Sequence, residues 1–149
     1  LPKSYLWLNS FFTQQKNLQA YLRPMMKPQL FEIEALKIQP ESLSASTILN
    51  AEHPIFKGHF PETPVLPGVC QIEMLKEILA GALGKQLFLP EAGSVKFLNV
   101  IEPQKTPKLL IEMQFKNNAD GIFDTTATIA DGQRFFLKFK GSFKITDEH

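Results

Sequence analysis

HPIFKGHFPETPVLPGVCQIEMLKEILAGALG, residues 53–84, joins two kinds of backbone. Its first half carries Pro54, Pro61, Pro64 and Pro67. Each proline fixes its own φ and biases the residue before it toward extended geometry, so this half reads as a stiff loop. From Pro67 the pattern turns helical: proline suits a first turn, and Val69, Ile72, Leu75, Leu79, Ala82 and Leu83 recur at helical spacing until Gly84 stops the run. Gly68 at the helix start leaves the backbone open to a ligand. Two ionisable residues stand out, His59 on the loop and Glu73 one turn after Val69.

A base on a rigid loop, an acid on a buried helix and exposed amide N–H groups at that helix's start are parts needed to abstract a proton beside a carbonyl. The base and the acid each have a plainer reading. A loop histidine such as His59 can spend its ring on a backbone carbonyl. Glu73, with Lys76 at i+3 and Glu77 at i+4, can be part of a polar stripe of ordinary helix surface.

Working outward, Leu30 to Ile38 reads as a strand, Pro40–Glu41–Ser42 as a turn, and Leu43 to Leu49 as a second strand that delivers the chain to the loop. Ahead of these, Leu8, Phe11, Phe12, Leu18 and Leu22 are near helical spacing and are closed off by Pro24 and Pro28, so residues 1–28 are expected to form a helical extension. After the helix, Gln86 to Val100 reads as short extended pieces interrupted by Pro90 and Gly93. Leu109, Ile111, Met113 and Phe115 alternate with polar neighbours, and Phe135, Leu137, Phe139, Phe143 and Ile145 fall on one face of a last strand. Turn signals at Asn117 to Gly121 and Asp131–Gly132 make this half a three-strand antiparallel meander. Residues 29–149 therefore read as a single α+β domain whose sheet must cover one central helix.

Composition excludes more than it assigns. A chain of 149 residues with a net charge of +1 and no dense Lys/Arg run gives no reason to invoke nucleic acid or a polybasic anchor. Thirteen Phe against one Trp and two Tyr suit either a large dry core or an apolar channel. Cys70 is the only cysteine, so no intrachain disulfide is available and a reducing, cytoplasmic setting is expected. No signature of cysteine catalysis surrounds it, and no Cys/His spacing indicates a metal site. His53 reads as a loop residue and His149 as terminal. No stretch approaches the roughly 20 apolar residues of a membrane span. The N-terminal residues turn polar too soon for a signal-peptide core, although a chain opening at Leu1 leaves a removed leader open.

GHFPETPVLPGVCQIE, residues 58–73, resembles the signature GHFPxxPxxPGVxxxE of the β-hydroxyacyl-acyl-carrier-protein dehydratases of type II fatty-acid synthesis, the FabZ/FabA class. Every fixed position is present, from Gly58, His59, Phe60 and Pro61 through Pro64 to Pro67, Gly68, Val69 and Glu73. Glutamate at the last position is similar to the FabZ side, which lacks the double-bond isomerisation of FabA. The resemblance implies a hotdog fold, a curved antiparallel β-sheet wrapped around a long central helix. It further implies His59 as base, the Gly68 amide as oxyanion donor, and Glu73 as the group that protonates the leaving hydroxyl or orients the leaving water, with its pKa raised by a dry site.

The same resemblance implies no cofactor, an apolar tunnel for the acyl tail, and acyl carrier protein presenting the substrate on phosphopantetheine. His and Glu of one site come from different protomers in this family, which implies a homodimer, with higher assembly of dimers open. Two departures bear on chain length and carrier contacts. The family element RPVxPGD falls on NVIEPQK, residues 99–105, where only Pro103 and an aliphatic pair survive, and Glu77 stands where FabZ-type enzymes commonly carry glutamine. A hotdog acyl-thioesterase and a catalytically silent acyl-binding domain are the alternatives.

Overall fold

Strict alternation builds the middle of the sheet. In β2 (Ser42–Leu49) the buried residues are Leu43, Ala45, Thr47 and Leu49, and in β4 (Lys108–Ala119) they are Leu109, Ile111, Met113 and Phe115. Antiparallel pairing sets Leu43 opposite Met113, Met113 opposite Ala127 of β5 (Ile122–Ala130), and Ala127 opposite Phe139 of β6 (Phe135–Ile145). One row of apolar side chains thus crosses four strands on a single face. With β1 (Phe31–Gln39) and β3 (Leu87–Phe97) at its edges, the sheet has the order β1-β2-β4-β5-β6-β3, and every pairing is antiparallel.

These elements come from a computed structural model that describes residues 26, 29–58, 63–119 and 121–146. The extension expected over 1–28 lies outside the described residues except for Met26, which is buried.

The central helix, α2 (Gly68–Leu83), follows a short α1 (Ile55–Gly58) and lies on the apolar face, where Ile72, Leu75, Ile78 and Leu79 join the core. Gly84 ends it at φ 66°, a left-handed cap that a side chain would strain. Burying each such aliphatic side chain contributes about 1.5–3 kcal/mol, so the sheet face and the helix hold each other.

Three expectations need correction. Gln86 to Val100 is not a set of short pieces but one strand, β3, and Pro90 and Gly93 sit at its two register shifts, Phe88/Glu91 and Ala92/Ser94. A bulge absorbs the missing proline donor without ending the strand. In β6, Phe135 is not on the buried face: the register slips between Ile129 and Ala130, which pairs Ala130 with Phe135, exposes Phe135 and buries Phe136. The segment before His59 is not all loop, because α1 forms there. His53 is 2% exposed and its Nδ1 accepts the Ile55 N–H at 3.0 Å, capping that turn.

Candidate active site

The start of α2 is held from outside the helix. Pro67, extended at φ −61° and ψ 147°, offers its carbonyl to the N–H groups of Cys70 and Gln71, each at 3.1 Å, and no side chain caps the end. Gly68 and Val69 therefore have no acceptor within the helix, and their amides carry its partial positive charge. The loop entering the helix is tied down twice. Gln71, 3% exposed, donates its Nε2–H to the Leu66 carbonyl at 3.2 Å, and Leu66 N–H donates to Ile101 at 2.8 Å.

Gly68 also has a neighbour that local spacing could not reveal. A Cβ on it would lie 2.5 Å from Phe97 Cζ and 2.9 Å from Cε1, so the ring at the end of β3 occupies the space a side chain needs. Close packing by Phe97 is thus a second reason for glycine here, beside access to the amide.

Glu73 is 1% exposed, and the reading of Glu73, Lys76 and Glu77 as a surface stripe fails for the first two. Lys76 is 4% exposed, with its Nζ 2.7 Å from Glu73 Oε1. α2 buries polar as well as apolar positions, Gln71, Glu73 and Lys76 among them. The expectation that a dry site keeps Glu73 protonated meets an opposing term, since an ammonium in contact favours the carboxylate. Neither Lys76 nor Phe97 was singled out as a site residue from sequence. The i, i+3 spacing of Glu73 and Lys76 was visible, but only burial separates a working ion pair from a solvated one.

Cys70, one turn before Glu73, is fully buried, and burial followed by the Glu73 and Glu77 carboxylates pushes its thiol up to about 12. Such a thiol is not a nucleophile near neutral pH. Cys70→Ala should retain turnover, and iodoacetamide should leave the native thiol unlabelled near pH 8. Rapid alkylation, or an inactive folded Cys70→Ala, would bring the cysteine into the chemistry.

His59, with Phe60 and Pro61, lies outside the described residues. The described segment that precedes it in the chain is α1, which ends at Gly58 and is capped by His53. Two concavities of about 890 and 580 Å³ lie on the polar face of the sheet, opposite the one that α2 covers, against Gln114, Thr126, Lys138 and Lys140. Among the described residues no group of three His, Cys, Asp or Glu side chains could hold a metal ion, and no helix is long and apolar enough to cross a membrane.

A six-stranded antiparallel sheet in this order around one long helix defines a hotdog fold. The chain belongs to the ApeI-like dehydratase family, whose sequence model matches residues 35–135, and so to the FabZ/FabA type of dehydratase. It is 30% identical to the 3-hydroxyacyl-[acyl-carrier-protein] dehydratase FabZ of Pediococcus pentosaceus over 118 residues, 74% of this chain and 79% of that one. The FabZ of Latilactobacillus sakei is 30% identical over 127 residues, 80% of this chain and 89% of its own. Among solved structures, the dehydratase heterocomplex ApeI:P from Xenorhabdus doucetiae superposes with a TM-score of 0.63 at 22% identity, over 76% of this chain and 96% of that one. A hypothetical thioesterase from Streptococcus pneumoniae with coenzyme A gives 0.55 at 14% identity, over 78% and 85%. Both share the fold.

Proposed function

We propose that the protein dehydrates 3-hydroxyacyl thioesters on acyl carrier protein to trans-2-enoyl thioesters, in fatty-acid or related acyl-chain synthesis in the cytoplasm. The observation that carries this reading is Glu73, a carboxylate 1% exposed on the long helix of a hotdog dehydratase chain, at the acidic position of the signature. The C2 proton of the substrate is weakly acidic because the thioester carbonyl takes the developing charge. Neutral His59, of a type with a reference pKa near 6.5, suits its removal. The Gly68 amide at the uncapped helix start would stabilise the charge on the carbonyl oxygen. Glu73 would protonate the departing hydroxyl or orient the water as it leaves.

The reaction needs no cofactor. By the family's pattern each site would take His59 from one protomer and Glu73 from another, so the reading includes a homodimer. That the ApeI:P neighbour is itself a complex supports association of such chains.

Incubation with 3-hydroxyacyl and plain acyl thioesters tests the reaction. New enoyl absorbance supports dehydration, free thiol would mean a thioesterase, and neither would mean binding alone. His59→Ala should abolish enoyl formation in a folded protein, and unchanged turnover would remove His59 from the mechanism. Mixed with Glu73→Gln after exchange of chains, it should regain about a quarter of the native sites, since each mixed dimer restores one. No recovery from two folded, exchanging variants would place both residues in one chain.

A further inference from the structure

Lys76 is a buried charged side chain for which dehydration has so far had no use. Its Nζ lies 2.7 Å from Glu73 Oε1, with the two side chains 5% and 1% exposed. A lysine stem is long enough to carry its charge back to water, and an ammonium kept from water costs several kcal/mol even after relaxation. This one meets the Glu73 carboxylate. The neighbouring Cys70 thiol, pushed up by burial and by Glu73 and Glu77, adds no charge to the cluster.

We propose that Lys76 is a positioning residue for the dehydration: its contact holds Glu73 as an oriented carboxylate that accepts a hydrogen bond from the substrate's 3-hydroxyl group. This rests on the dehydratase reading and chooses between the two roles left open for Glu73. The C2–H bond breaks and its proton passes to the His59 imidazole. The electron pair forms the C2–C3 double bond as the C3–O bond breaks. The departing hydroxide takes its proton from the imidazolium just formed, so water leaves and His59 returns to neutral. Glu73 stays ionised throughout, its charge balanced by Lys76.

The test compares enoyl formation and thermal unfolding in native protein, Lys76→Arg, Lys76→Met and Lys76→Gln. A role through charge orders the variants differently from a role through packing. Methionine matches the lysine stem in a buried slot, whereas arginine is bulkier but keeps the cation. Lys76→Met and Lys76→Gln should each lose about tenfold to a hundredfold in kcat with KM little changed, the scale of a misplaced reacting group, and Lys76→Arg should recover most of it. If Lys76→Met does not fold, Lys76→Gln, which keeps a hydrogen-bond donor without charge, makes the comparison with Lys76→Arg. Folded Lys76→Met or Lys76→Gln with kcat equal to or above that of Lys76→Arg would overturn the proposal. Native protein that forms no enoyl product would overturn the dehydratase reading beneath it, and the two failures are distinct.

Discussion

Glu73→Gln should stop enoyl formation and also unfold at a clearly lower temperature than the native protein. Sequence reasoning expects only the first, because an acid that moves protons or orients water can be replaced by its amide without disturbing packing. The structure adds the second. Glu73 and Lys76 form an ion pair at 2.7 Å with both side chains almost wholly buried. Replacing one member of a buried pair takes away the counter-charge of the other, and breaking such a pair costs about 3–5 kcal/mol. For a domain of this size that is a fall of roughly 10 °C or more in Tm. Adding Lys76→Met removes the second charge of the pair, so the double variant should regain much of the stability and none of the turnover. Enoyl absorbance and thermal unfolding on one preparation read both. A Glu73→Gln protein as stable as native would show that the pair contributes nothing to the fold, and one with native turnover would remove Glu73 from the reaction.

Gly68→Val should lower turnover by about a hundredfold or more, the scale of a lost oxyanion donor. On helix propensity alone the substitution should be neutral or mildly stabilising, by up to about 1 kcal/mol. Phe97 reverses that expectation. With its Cζ 2.5 Å from where the new Cβ must sit, the ring has to move, and forced repacking of this kind costs about 1–3 kcal/mol. Activity and stability therefore fall together, and the single variant does not separate access to the amide from packing. Phe97→Ala does, by clearing the space. Gly68→Val combined with Phe97→Ala should recover stability relative to Gly68→Val while turnover stays low, with Phe97→Ala alone as the control. Turnover restored to the control's level would mean that glycine serves only the ring and that the carbonyl is held elsewhere.

Much of this protein is written locally. Prolines at 54, 61, 64 and 67, the helical spacing from Val69 to Leu83 and the stop at Gly84 are properties of neighbouring residues, and they place α2 to the residue. Period-two alternation likewise marks β2 and most of β4, because a strand with one buried face must repeat every second residue. His59 and Glu73 were legible as motif positions, and the structure adds the burial of Glu73, while His59 lies outside what it describes. What alternation could not supply is register between strands. The bulges around Pro90 and Gly93 and the slip that exposes Phe135 and buries Phe136 arise from pairing with a partner strand distant in the chain. Burial is likewise a sum over the whole molecule. Glu73, Lys76 and Glu77 share one stretch of helix, yet only the packed structure takes the first two out of water and turns a commonplace i, i+3 pair into one whose loss costs stability. Gly68 meets Phe97 for the same reason: their contact spans the fold, and no pattern in either neighbourhood encodes it.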